Sequence, residues 1–599
     1  MKRTSLWSSR RGRRSAMVGA LALSAALALS ACGSSGGASA SGSSPSGSAS
    51  ASGGSASGSA AASGSGTSGS SPSQEHAAGG VTGLGDVPSA KKAGGTLTYA
   101  LDSPIYKLDP NVAAAAQDAR IMRQMYDGLV SRKPDGTLEP WLATKWQVSD
   151  DGLTYTFTLR DDVKFQDGTP FNAKAVCFNF DRIVNPDSGS IFAKGAIGPY
   201  KSCEAKDDTT AVVTFSEPYA PFLNYLSNPF FGMVSPTAVK KEGNDGFAAH
   251  PVGTGPFSFV SYTPNDKIVL KKNPDYNWAP AFYQHQGPAY LDGIEFKFIT
   301  DPTVRVGSLQ NGDMLAIGNV PEAQVATVNK NADLGVYIEP QSGSPFQLHF
   351  NTSHPPLDDK NVREALREAI DVDSAVQSLY FGVYQRAWAP LSPTTPGYNK
   401  SLVNSWKYDP AAAKAALDAA GWKVGADGIR EKDGKKLTLQ YAEGSTDREK
   451  RQELQEIFIN QWKQIGVNVV QKRYDTGAAL AAQQNNKNDI SGLSLVTPDP
   501  GALYQIFDGK NISKPGQSGF DLSRVNDPDL NKALESMMAE NDQAKRLQEV
   551  SDLQKTINDM ALSVPIYVPT YTMGVSKKVT GVHFDGEGYP IFYDVSLTS

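Results

Sequence analysis

The sequence predicts a mixed α/β protein built from two or three lobes. Three observations carry this. Leu153, Tyr155, Phe157 and Leu159 alternate with Thr154, Thr156 and Thr158, the period of a half-buried strand. Val362, Leu366, Ala369 and Ile370 recur at helical spacing behind Asp358 or Asp359, either of which can cap the helix. The globular part, from about residue 94 to 599, is longer than one hydrophobic core usually serves.

In chain order, the first element is an export signal. Lys2, Arg3, Arg10, Arg11, Arg13 and Arg14 form a basic head, and residues 16–29 an apolar body too short to span a bilayer comfortably. The run Leu29-Ser30-Ala31-Cys32 resembles the lipobox of bacterial lipoproteins. That resemblance implies a lipid on the Cys32 sulfur and a mature chain that begins there. The Arg13-Arg14 pair leaves twin-arginine export open beside the general secretory route. Residues 33–73 are almost entirely Ser, Gly and Ala, with nothing to offset the entropy of ordering them. Counted through 93, the tether of about 60 residues has a mean reach on the order of 45 Å. Gly33-Ser34-Ser35-Gly36-Gly37 fits the G-x-S-x-G pattern but lies in this tether, not between a strand and a helix.

Charge and reactive residues exclude several classes. Net charge is −5, and no basic block follows the signal, so no nucleic-acid partner is expected. No later run of 18 apolar residues predicts a membrane span. Cys177 and Cys203 are the cysteines left for the body, and an exported, oxidising setting favours a disulfide between them. The six histidines, His76, His250, His285, His349, His354 and His583, are scattered. His349 and His354 are five apart, not the four that places two ligands on one helix face. No metal or other cofactor is expected.

Within the body, Asp150-Asp151-Gly152 turns into the strand at 153–159, and Asp167-Gly168 turns out of the apolar run at 163–165. Residues 172–183 read as a helix. Asp409 caps another, with Pro410 in its first turn, Leu417 inside and Gly421 placed to end it. A third helix covers about 449–465, is closed by Gly466, and leads into a strand at 467–470. No internal repeat is visible.

An ordered series of blocks then carries a family resemblance. It opens with GGTLTY at 94–99 and LDP at 108–110, then LEPWLATKW at 138–146, SDDGLTY at 149–155 and FQDGTPF at 165–171. GTGPF at 253–257, KNPDY at 272–276, VREAL at 362–366 and AID at 369–371 follow. YDP at 408–410, AGW at 420–422 and QIGV at 464–467 complete it. Together they resemble the family 5 solute-binding proteins of bacterial ATP-driven importers. The resemblance implies a two-lobed, class II periplasmic-binding-protein-like fold with an extra subdomain. One lobe comprises 94–139, 235–340 and 560–599, with its subdomain at 140–234; the other is 341–559. A small solute binds in the cleft between lobes, and an ABC transporter permease reads the closed form. The expected protein is a monomer, anchored to membrane lipid through Cys32 at the extracellular face, and is not an enzyme.

Peptide-binding members of this family carry a run resembling Trp-x-x-Asp-x-x-Asp-Pro, whose first aspartate pairs with the peptide amine. Here Leu493 and Val496 occupy the tryptophan and first-aspartate positions, ahead of Asp499-Pro500. A valine cannot neutralise an ammonium, so a free-amine peptide is disfavoured. A gap in the register would hand the role to Asp499. Residues 309–314 also depart from the family pattern, with Met314 where an apolar residue then an aspartate is usual. The candidate cleft residues are Tyr106, Phe346, Trp388, Thr497, Asp499 and Tyr504. Two other classes stay open on the residues alone: a tethered hydrolase, since isolated carboxylates are numerous, and an adhesin with no small ligand.

Overall fold

The computed structural model describes residues 80–82, 92–190, 192–445 and 447–598. The signal, Cys32 and most of the tether lie outside them. The first lobe is built on an eight-stranded mixed sheet. At its centre Thr96–Leu101 runs parallel to both Gly293–Phe298 and Ala316–Gly318. Thr570–Ser576, from the far end of the chain, lies antiparallel between Ala316–Gly318 and Leu334–Pro340. Gly80–Thr82 pairs with residues 336–338, so the coil expected through 93 is interrupted there. The reason is the free edge of Leu334–Pro340, whose unpaired backbone groups accept another strand.

The subdomain is a four-stranded antiparallel sheet in the order Ala143–Val148, Thr154–Leu159, Thr210–Phe215, Tyr200–Ala205. The threonine alternation behaves as its period requires: Tyr155, Phe157 and Leu159 are buried, while the threonines between them are only half-buried. Helix Ala173–Val184 covers this sheet, its first turn capped by the Asn172 side chain, which accepts from the Ala175 amide. The disulfide Cys177–Cys203 ties that helix to the edge strand across 26 residues of chain. The subdomain and the first lobe share one continuous core.

The second lobe carries a five-stranded sheet in the order Asn468–Tyr474, Thr438–Gly444, Ile490–Val496, Gly343–Phe350, Ser563–Tyr567. The first three strands are mutually parallel. The capped helices form where the carboxylates predict. Asp359 caps Lys360–Glu368, and Asp409 accepts from the Ala411 and Ala412 amides at the head of Pro410–Ala419. Arg451–Gln464 stops before Gly466, which has φ 84°. Ala502–Phe507, Pro528–Ala539 and Gln543–Asp559 form a separate helical core in the second lobe.

The chain crosses between lobes twice, after Pro340 and after Tyr567. The second crossing corrects the boundary expected at 560. Ser563–Tyr567 pairs with Gly343–Phe350 and buries Val564, Ile566 and Tyr567 in the second lobe's core. Tyr571, Met573 and Val575 are buried in the first lobe's core just beyond. The run is apolar on both sides of the crossing, so composition does not mark it. Among the described residues no helix is long and apolar enough to cross a membrane.

Candidate functional site

Parallel strands expose their carboxyl ends at one edge of a sheet, and α/β proteins bind ligands there. In the second lobe those ends are Glu443, Tyr474 and Ser494 to Val496. Arg451, the first residue of its helix, reaches across them. Its Nε donates to the Tyr567 hydroxyl at 3.0 Å. Its Nη2 donates to Glu449 Oε2 at 2.7 Å and to Ser494 Oγ at 2.9 Å. The guanidinium lies 4.2 Å from the centre of the Phe346 ring, which stacks on Tyr567 at 5.0 Å. Burial pushes the Glu449 carboxyl up, but the Arg451 and Arg448 charges and the hydrogen bond from Tyr567 outweigh it and hold Glu449 below the usual range. Glu443 is different: burial dominates and pushes its carboxyl up, and its Oε2 has no hydrogen-bond partner.

The backbone at this corner is strained. Glu449 and Lys450 both have left-handed φ, 55° and 53°, a conformation that non-glycine residues rarely adopt. Their side chains hold them there. Glu449 is fixed by Arg451 and Tyr567. Lys450 Nζ donates to the Leu379 carbonyl at 2.8 Å and lies 3.6 Å from Glu322 of the first lobe. Strain of this kind persists where the surroundings over-determine it, which is common at ligand clamps. The Glu322–Lys450 pair shows that this corner faces the other lobe.

A second seam joins the first lobe and its subdomain to residues 497–546. Arg132 Nη1 donates to the Pro498 carbonyl at 2.7 Å. Thr497 Oγ1 and Gln505 Nε2 both donate to the Tyr225 hydroxyl, at 3.3 and 2.9 Å. Asn224 Nδ2 donates to Asp499 Oδ2 at 2.6 Å. Between the seams lies the first hinge crossing. Ser342 Oγ donates to the Thr497 carbonyl at 2.9 Å, and Gly343 has φ 105°. A Cβ there would stand 2.1 Å from the Leu495 carbonyl oxygen, so only glycine fits.

The expected cleft residues fall into different places. Phe346 is fully buried beneath Arg451. Thr497 and Asp499 lie on the subdomain seam. Asp499 is not free to hold a solute cation: Arg546 Nη2 donates to it at 2.7 Å and Nη1 at 2.9 Å. Burial pushes its carboxyl up, yet the Arg546 charge and hydrogen bonds more than reverse this. Trp388 packs edge-on against Trp406, with the Arg386 guanidinium 4.2 and 4.6 Å from the two rings. Tyr504 is half-buried against the helical core. Tyr106 is 75 % exposed and rims a cavity lined by first-lobe and subdomain residues only. Arg451, Ser494, Glu443 and Tyr567 were not anticipated. One signal was present: the charged run Glu449-Lys450-Arg451 at a helix start, a short loop after the strand Thr438–Gly444.

Val496 pairs with Gly343 at the end of its strand. Alternation puts it on the face of Ser494, and hence of Arg451, while Leu493 and Leu495 face the helical core.

Comparison with known proteins gives consistent matches. The model of the family described as bacterial extracellular solute-binding proteins, family 5 Middle, matches residues 137–514. The glutathione-binding protein GsiB of Salmonella typhimurium is 31% identical over 496 residues, covering 81% of this chain and 91% of the relative. Among solved structures, DppA of Helicobacter pylori in complex with the peptide STSA superposes with a TM-score of 0.67 and 26% identity. That match covers 86% of this chain and all of the other. NikA of Brucella suis in complex with Fe(III)-EDTA gives 0.72 and 25% identity, covering 84% and 100%.

Proposed function

The chain belongs to family 5 of the bacterial extracellular solute-binding proteins, and we propose that its solute is a small peptide-like or other polar molecule recognised without a clamp on a free amine. Its role is that of a receptor, not an enzyme: it binds a solute outside the cytoplasm and serves an ABC importer. A solute that touches both lobes favours the closed state by its preference for that state.

Val496 carries the reading of the solute. It stands on the Arg451 face, where an amine-binding carboxylate is expected in peptide-binding members. The wall around it offers donors, from Arg451 and Ser494, and so suits a carbonyl or carboxylate of the solute. The glutathione-binding relative GsiB supports a peptide-derived solute rich in carboxylates. Calorimetry with di- to pentapeptides, free and N-acetylated, and with glutathione tests this. Binding that tolerates N-acetylation and weakens at least about tenfold in Arg451→Gln supports it. Micromolar binding that vanishes on N-acetylation overturns it.

The membrane tether belongs to the same proposal. Leu29-Ser30-Ala31-Cys32 supports a lipidated Cys32 at the extracellular face of the membrane, with residues 33–79 as spacer ahead of the strand at 80–82. Cys32→Ser is expected to release the protein from membrane fractions or block its processing. A soluble native protein whose first residue lies elsewhere refutes it.

A further inference from the structure

A second cavity, of about 460 Å³, opens beside the hinge and away from the Arg451 wall. Arg451, Ser494, Phe346 and Tyr567 take no part in it. Its walls carry four aromatic rings: Phe282 and Tyr283, 4.9 Å apart, and Tyr337 and Phe584, 5.4 Å apart. Pro340, the last residue before the first crossing, also lines it, and Thr394 enters from the second lobe.

The carboxylates around this cavity have side-chain partners, with one exception. Asp585 is bonded to Arg123 at 2.6 Å, and Arg132 lies 3.3 Å from Glu587. Asp594 meets His285 at 2.7 Å and His583 at 3.5 Å. Glu339 is half-buried, and among the described residues its carboxylate has neither an ion pair nor a hydrogen bond. The Thr394 hydroxyl is buried and also lacks a partner. An unmatched carboxylate among aromatic faces attracts an organic cation. The rings supply quadrupole attraction and a dry contact, and the carboxylate supplies the counter-charge. A bare metal ion gains little from such walls, which offer few oxygen ligands.

We propose that this cavity is an accessory site for a small organic ammonium ion, held by Glu339 between the Tyr337–Phe584 and Phe282–Tyr283 rings and reaching Thr394 across the hinge. Because its walls come from both lobes, an occupant binds open and closed forms unequally and so biases closure; by reciprocity the solute alters the cation's affinity equally. Burial pushes the Glu339 carboxyl up to about 7, as expected for an acid lacking a counter-charge.

The test is calorimetry on the whole protein without solute. The probe is tetramethylammonium chloride, with sodium chloride at matched ionic strength and tert-butanol as an uncharged comparator of similar girth. The expected result is saturable binding of the ammonium alone, weakened at least about tenfold in Glu339→Gln and unchanged in Arg451→Gln. Phe584→Leu is expected to weaken it as well, which keeps the test sound if one variant folds poorly. No saturable binding by the wild type, equal binding of tert-butanol, or undiminished binding in both Glu339→Gln and Phe584→Leu overturns the proposal.

Discussion

Asp499 and Arg546 form a buried, two-pronged ion pair, with Nη1 and Nη2 of the arginine 2.9 and 2.7 Å from the two carboxylate oxygens. Their side chains are 0% and 8% exposed. Removing one partner leaves an uncompensated charge away from water. Arg546→Met is therefore expected to cost about 3–5 kcal/mol in urea unfolding. Replacing both, as Arg546→Met with Asp499→Leu, is expected to cost less than Arg546→Met alone. Solute affinity of refolded Asp499→Asn should stay near wild type, because the carboxylate serves the seam. Loss of solute binding with unchanged stability would return Asp499 to the ligand.

The Cys177–Cys203 bridge closes a loop between helix Ala173–Val184 and strand Tyr200–Ala205. Thiol labelling of unreduced, denatured protein is expected to modify neither cysteine. The double variant Cys177→Ala, Cys203→Ala should lose roughly 3 kcal/mol in the chain-entropy account. A melting point equal to the oxidised wild type would contradict this.

His349 sits fully buried in strand Gly343–Phe350, with both ring nitrogens unpartnered and Phe507 5.6 Å away. Burial pushes its pKa down to about 3. The folded state thus resists a proton that the unfolded chain accepts near pH 6.5. Its contribution to stability is intact above that pH and is lost as pH falls from about 6.5 toward 3. Between pH 7 and 5 the loss amounts to about 2 kcal/mol. His349→Leu removes this loss, so its melting point should gain on wild type as pH falls. A constant difference between pH 7 and 5 would show that His349 does not titrate in this way.

Val496→Asp places a carboxylate on the Ser494 face of its strand, two residues further along. The variant is expected to prefer a free-amine dipeptide over its N-acetyl form by at least about tenfold, where the wild type does not. Calorimetry with one such pair of peptides decides it. No preference in a folded variant would mean that residue 496 does not face the solute.

Local signals in the sequence determined much of this protein. Tyr155, Phe157 and Leu159 alternate with threonines, and that period alone makes a half-buried strand. Asp359 and Asp409 cap helices because a carboxylate satisfies the free amides of a first turn. Two body cysteines in an oxidising setting left one pairing. The ordered blocks from 94 to 467 were enough to name the family. Tertiary structure alone decided the rest, because it depends on residues far apart in the chain. Nothing near Asp499 announces that Arg546, 47 residues on, neutralises it. The Arg451 cluster draws on Phe346, Ser494 and Tyr567, which meet only when strand ends line up at one sheet edge. The return crossing lies inside a continuous apolar run. Burial on either side of Tyr567 is set by which lobe's sheet the strand joins, and that is a matter of long-range pairing rather than composition.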